Sequence, residues 1–391
     1  HGLEGEEDED SEVKKEARAV ALEHARHQTL PGDGALCAAL TGLGVRVVRW
    51  NRFAALGAAG PAAAPWPRRH GAHVDAPDAA ARLVDVGSAV VRWPWYGGAD
   101  AARLLINAVA SVLKPGSPVY LIGRWDEGVG GAPQVLCADD LFRGAHQLAP
   151  SASAASTKAG KAGSSSGALA RAEPQWDDVA CFCAHRASVG DPRAPSDAWA
   201  TTASLTGPGL PGPWHVYPGL FNGGLPDAMT RALLRTLPEA TLSSGGPFLD
   251  FCCGTGAIAA ALIARAPSAR VDMLEADALA LEAACRNVPG AHVAYLSDGW
   301  PRRALRRRMY RVIVSNPPVH RGQPSDLSVL AELLQGAPRR LVPGGELWLV
   351  TQEQVPVGLL LEAHAKGLYA SLSATQVCGS RFIVWHARAL A

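Results

Sequence analysis

Two stretches of this chain have residue types and spacings that could do chemistry. Ser315-Asn316-Pro317-Pro318 closes an apolar run, Tyr310 to Val314, that reads as a buried strand. Proline has no N–H and fixes its own backbone angle, so the ladder stops there, with Asn316 and the Pro317 carbonyl held in an extended kink. In isolation this is a strand-terminating turn. In an open α/β sheet, however, the carboxyl end of a strand is where ligands bind, and an amide and a carbonyl fixed there can hold a polar group.

The second stretch runs from Phe248 to Ala257 and reads as a strand, a tight turn and a helix start. Gly254 and Gly256 let the backbone approach a ligand and turn the amides of a helix N-terminus toward it, while Asp250 is placed to receive an ammonium. Glu275 ends the next strand, where an acid takes both hydroxyls of a ribose, and Asp298 follows the third strand, placed for an adenine edge. Ala259 stands where the third glycine of a Gly-x-Gly-x-x-Gly loop would be, so the fingerprint alone leaves the cofactor open. Asp250 before the turn and Asn-Pro-Pro after the fourth strand decide for S-adenosylmethionine. The spacing offers no metal-ligand set and no Ser/His/Asp or Cys/His arrangement for hydrolysis.

These groups need a sheet to position them. From Pro247 onward the pattern predicts strands over 247–251, 270–275, 291–296, 310–315 and 346–351, with helices over 256–266, 277–287, 325–341 and 357–367 between them. Two closing strands follow, near 371–377 and 381–387. The expectation is a doubly wound, mostly parallel sheet with an antiparallel edge. The first half predicts a helix over 17–29, strands over 45–50, 89–93, 119–122 and 179–187, and a helix over 101–113. That alternation again predicts a parallel sheet. Leu113 to Ile122 parallels Leu341 to Val350, so the two halves read as copies of one fold. Val91-Arg92-Trp93-Pro94-Trp95 then occupies the place of the Asn316 motif without its amide, and the chemistry belongs to the second half.

The 391 residues are enough for two cores, and 48% hydrophobic content with 6% aromatic suits α/β layers. No apolar run reaches the length of a membrane span. Residues 1–16 hold eight acids against Lys14 and Lys15, which leaves the rest of the chain basic. The expected organisation is an acidic, disordered tail over 1–28, a degenerate domain over 29–188 with a low-complexity insertion over 149–172, a linker over 189–212 and a catalytic domain over 213–391. The eight cysteines read as buried free thiols of a reducing compartment. The chain opens on His1 rather than Met, which leaves room for a targeting segment before it. The expected compartment is the cytoplasm or an organelle, mitochondrion or chloroplast, with no secretion signal.

With these residues in view, the chain resembles the class I methyltransferases that modify exocyclic amines, and among them the bacterial small-subunit ribosomal RNA guanine-N2 methyltransferases. The resemblance rests on Tyr217 to Phe221 with Gly224-Leu225, the Asp250 loop, Glu275-Ala276-Asp277 with Asn287, Ser315 to His320, Gly345 to Val350 and Arg381 to Val384. It implies two Rossmann-like methyltransferase domains, the first a degenerate copy. It also implies S-adenosylmethionine held by Asp250, Cys252, Gly254, Gly256, Glu275, Asp298 and Ser315. Asn316, Pro317 and Pro318 would carry the transfer of a methyl group to a guanine amine, with Asn316 and the Pro317 carbonyl accepting the amine's hydrogens. Phe221, Val319 and His320 would contact the substrate. Two positions depart from the family pattern: Cys252 replaces a glycine, and Val319 replaces the aromatic residue that stacks on the base.

Six arginines between Arg302 and Arg311, Arg303 and Arg307 among them, suggest phosphate contacts to ribosomal RNA or a ribosomal subunit, placed before the fourth strand and near the site's rim. A second reading, from another class, is a methyltransferase-like scaffold without catalysis in a ribosome or other large organellar assembly. A third keeps the same chemistry with a glutamine or adenine amine as acceptor.

Overall fold

The computed structural model describes residues 73–74, 87–93, 98–148, 179–188, 199–205, 212–243, 245–297, 299–300, 308–319, 327–379 and 381–390. The expected acidic tail, the helix over 17–29, the strand over 45–50 and the whole low-complexity stretch over 149–172 lie outside these residues. So do Asp298, Arg303, Arg307 and His320.

The first elements are β1 (His73–Val74), β2 (Ala89–Arg92), α1 (Gly98–Val112), β3 (Pro118–Arg124), α2 (Ala132–Cys137), β4 (Phe142–Gln147) and β5 (Val179–Arg186). There follow β6 (Thr201–Ala203), β7 (Trp214–Val216), a 3-10 turn (Phe221–Gly224), α3 (Ala228–Thr236), α4 (Glu239–Ser243), β8 (Phe248–Phe251), α5 (Ala257–Arg265), β9 (Val271–Glu275) and α6 (Ala278–Asn287). The chain closes with β10 (Val293–Leu296), β11 (Tyr310–Ser315), α7 (Ser328–Gly336), β12 (Leu341–Gln352), α8 (Val357–Ala365), β13 (Tyr369–Val377) and β14 (Phe382–Ala389). Among the described residues, no helix is long and apolar enough to cross a membrane.

The chain divides into two compact units, with the described residues of 82–199 in one and those from 200 onward, together with β1, in the other. The second unit holds an eight-stranded sheet of order β1-β10-β9-β8-β11-β12-β14-β13. Its strands are parallel from β1 through β12, and β14 inserts antiparallel between β12 and the edge strand β13. A central parallel strand is covered on both faces and must be apolar throughout. β8 meets that demand with Phe248, Leu249 and Phe251, all fully buried, which leaves Asp250 as an acid at 0% exposure in the middle of the sheet. α5 packs against it with Ala257 to Leu262 buried without a break.

The first unit is smaller. Its four strands run β2-β3-β5-β4, and only β2 and β3 are parallel. The parallel sheet expected there is therefore mixed, because β5 pairs antiparallel with both β3 and β4. Order and senses repeat those of β11-β12-β14-β13, so the sequence repeat at Leu113 and Leu341 has a topological counterpart.

Candidate active site

The turn after β8 is built from left-handed backbone. Cys252, Gly254 and Gly256 have φ of 61°, 54° and 90°. A side chain in that region costs roughly 1–2 kcal/mol, which explains why a glycine suits position 252. The Cys252 side chain is half-buried against the apolar cluster that includes Phe251. At Gly256 the reason for glycine is steric as well, since a Cβ would lie 2.6 Å from Val288 Cγ2.

Two carboxylates face this turn from neighbouring strands. Glu275 Oε2 accepts from Gly254 N at 2.8 Å, and its Oε1 accepts from Ala276 N and Asp277 N at 2.8 and 2.9 Å. Three backbone donors thus fix it at the carboxyl end of β9, although burial pushes its pKa above the ordinary carboxylate value. Asp250 Oδ2 accepts from Ala259 N at 2.9 Å, while Oδ1 is buried without a partner. Desolvation lifts this carboxyl to about 8, opposed by the Ala259 bond and reinforced by the charge of Glu275. An orphaned buried carboxylate oxygen calls for a cation. Together with the backbone-anchored acid at the next strand end, it fits the ammonium and ribose of S-adenosylmethionine. Gly299-Trp300 follows the third strand, tied to Glu332 by Trp300 N and Nε1 at 2.9 Å each, with the indole 4.6 Å from the Phe251 ring.

Ser315 ends β11 fully buried, donating from Oγ to Phe251 O at 2.7 Å across to β8. Asn316 follows, half-buried, and its Nδ2 donates to Asp227 Oδ1 at 3.1 Å and Thr230 Oγ1 at 2.9 Å. Both amide hydrogens are engaged on the α3 side, so Oδ1 is the end left for a ligand. Neither Asp227 nor Thr230 stands out in the sequence: they lie 89 and 86 residues from Asn316. The signal that could have found them is local, an Asp followed three residues later by Thr at the start of an amphipathic helix.

Phe221 is 78% exposed on a turn whose next three residues all have positive φ. That turn is fixed from beneath: Gly224 O accepts from Thr255 Oγ1 at 2.8 Å and Trp214 Nε1 at 3.1 Å. Asn287 accepts from His215 N at 2.7 Å and donates to Thr255 O at 3.1 Å, so β7, the glycine turn and α6 form one bonded group. Val319, by contrast, is only 8% exposed within the apolar cluster of Leu327, Val329 and Leu330. Its side chain belongs to the core cluster, whereas Phe221 is exposed.

Arg308 is the fifth arginine of the run and precedes β11. It lies 3.5 Å from Asp272 Oδ2, beside Tyr310 OH and His292 Nδ1, which bond the same carboxylate at 2.8 and 2.9 Å. Asp272 sits near the amino end of β9, which runs parallel to β8, which in turn runs parallel to β11. Arg308 is therefore at the opposite end of the sheet from Glu275 and Asn316, not at the rim expected for the run.

Residues 214–375 match the family model described as the methyltransferase small domain. A relative named ribosomal RNA small subunit methyltransferase C, from Hahella chejuensis, is 28% identical over 302 residues, 73% of this chain and 72% of its own. One of the same name from Pseudomonas aeruginosa is 38% identical over 153 residues, 38% of this chain and 43% of its own. Among solved structures, the T. thermophilus 16S rRNA N2 G1207 methyltransferase, in complex with AdoMet and guanosine, has a similar fold. Its TM-score is 0.59 at 20% identity, covering 78% of this chain and 73% of that one. The strand order of the second unit places Asp250, Glu275 and Asn316 at the carboxyl ends of β8, β9 and β11, side by side.

Proposed function

We propose that this chain transfers a methyl group from S-adenosylmethionine to the exocyclic N2 amine of a guanine in small-subunit ribosomal RNA. The observation that carries the proposal is the Asn316 amide, held by Asp227 and Thr230 so that its oxygen is offered at the ligand end of β11. Bound S-adenosylmethionine supplies an electrophilic methyl group on a sulfonium. Asp250 would hold its ammonium, Glu275 its ribose hydroxyls and the backbone of the Cys252–Gly256 turn its amino-acid part; Ser315 ties β11 to β8. Asp298 is assigned to the adenine edge.

A guanine amine is a weak nucleophile because its lone pair is delocalised into the ring. Asn316 Oδ1 and the Pro317 carbonyl accept its two hydrogens, which favours the pyramidal nitrogen of the transition state and aims its lone pair at the methyl carbon. Pro318 stiffens the kink that sets those acceptors apart. Phe221 is the exposed aromatic face for the target base, a role that Val319 cannot fill; stacking of this kind contributes about 1–3 kcal/mol per base. His320, Arg303 and Arg307 are assigned to the RNA, and no subunit of a larger assembly is required for the chemistry.

The test is incubation of the protein with S-adenosylmethionine and unmethylated small-subunit rRNA, followed by mass spectrometry of the nucleosides. N2-methylguanosine is the expected product. Another methylated nucleoside, or none with cofactor bound, overturns the proposal.

A further inference from the structure

We infer that Asp227 and Thr230 are positioning residues that decide which end of the Asn316 amide meets the substrate. The inference rests on the catalytic reading of Asn316 given above. Asp227 is the N-cap of α3: its Oδ1 accepts from Thr230 N at 2.7 Å. The same oxygen accepts from Asn316 Nδ2 at 3.1 Å, and Thr230, 6% exposed, accepts from Nδ2 through Oγ1 at 2.9 Å.

An asparagine amide has two nearly isosteric orientations, and only one of them presents an acceptor to an incoming amine. A hydroxyl such as Thr230 Oγ1 tolerates either orientation because it donates as well as accepts. An ionised carboxylate only accepts, so a flipped amide would set Asn316 Oδ1 against Asp227 Oδ1 with no proton between them. The helix cap therefore acts as a polarity filter on a side chain 89 residues away. Just before the cap, Gly224 O is bonded to Thr255 of the cofactor turn. The seven residues from Gly224 to Thr230 thus span from the cofactor turn to the amine acceptor, and both are held by one strap.

The experiment compares parent, Asp227→Ser, Thr230→Val, the double variant, Asp227→Asn and Asn316→Ala on in-vitro-transcribed small-subunit rRNA. Serine preserves the cap but withdraws the acceptor from Asn316. The double variant is expected to lose about 10- to 100-fold in kcat, because a misplaced acceptor costs alignment. S-adenosylmethionine affinity by calorimetry should stay within about twofold of the parent, and the single variants should unfold within a few degrees of it. Asp227→Asn, whose side-chain oxygen can accept from both Thr230 N and Asn316, should recover most of the loss. A purely structural cap role predicts the reverse pattern, with kcat tracking stability. Should the double variant keep kcat within about threefold while Asn316→Ala is inactive, or Asp227→Asn fail to rescue, the positioning role is overturned alone. An active Asn316→Ala would overturn the catalytic reading itself.

Discussion

Cofactor binding should be coupled to the loss of a proton from Asp250. Burial without a cation holds this carboxyl near a pKa of about 8, so at pH 7 roughly nine-tenths of the free protein carries it protonated. The cofactor's ammonium favours the ionised form beside Oδ1, the buried oxygen without a partner. The sign follows: binding releases a proton below pH 8, so affinity rises with pH there, and it falls again above pH 8 as the cofactor's own ammonium loses its proton. From the ionised fractions, affinity should rise roughly 20-fold between pH 6 and pH 7.5, after allowance for an α-amino group that itself titrates near 7.7–8.0. Calorimetry in buffers of differing ionisation enthalpy should read a net release of about 0.8 proton per cofactor at pH 7, the roughly 0.9 from Asp250 less the roughly 0.1 taken up by the amine. 5′-Methylthioadenosine, which keeps the nucleoside but has no ammonium, should bind with little pH dependence and isolates Asp250 from Glu275. Asp250→Asn should bind weakly with a flat profile. A flat profile in the parent, or proton uptake on binding, would refute the assignment of Asp250 to the ammonium.

Asn316→Ala should lower kcat by about 10²–10³-fold, the range for removing one preorganised transition-state contact, with cofactor affinity by calorimetry unchanged. It also removes two hydrogen bonds at about 1 kcal/mol each, so the melting temperature should fall by a few degrees. The two glycines of the turn should respond differently to alanine. Gly256→Ala meets Val288 Cγ2 at 2.6 Å and a φ of 90°, and should cost about 2–4 kcal/mol in thermal or urea unfolding. Gly254→Ala, with open space around its Cβ and a φ of 54°, should cost about 1 kcal/mol. Equal costs would show that sterics at Val288 do not set the turn.

The parts of the site visible in the sequence are those written in short-range code. β11 lies where its apolar run and the following prolines put it, and β8, β9, α5 and α6 match within two residues, because a buried parallel strand and an Ala-rich helix have distinct patterns. The helix expected over 325–341 is shorter: α7 ends at Gly336, a 3-10 turn covers Ala337–Arg339, and Leu341 already pairs with Tyr310 in a longer β12. Proline at 338 within Ala337-Pro338-Arg339 interrupts the α pattern, and the pairing of Leu341 is a tertiary fact. β1 joined to β10, β14 between β12 and β13, and the Asp227–Asn316 bond also depend on partners far away in sequence. The side-chain direction of Val319 is of this kind too: its place in the motif suggested a ligand contact, while packing against Leu327 and Val329 placed it in the core.

The first unit shows by contrast what makes a strand end into a site. β2 ends where β11 ends in the shared strand order, but Trp93 follows it in place of Asn316. Trp93 is 5% exposed, its N donates to Ile122 O at 2.7 Å, and its indole N–H, the side chain's only polar group, donates to Glu127 O at 2.9 Å. Gly123 allows the approach, since a Cβ there would sit 2.5 Å from Trp93 Cβ. An indole satisfied in this way closes its strand end as core and has no acceptor to present. In the second unit the amide nitrogen is consumed by Asp227 and Thr230 and the oxygen is spared. The difference between the two strand ends thus lies less in the strand order, which is shared, than in whether the polar atoms after the strand are all used up by the protein itself.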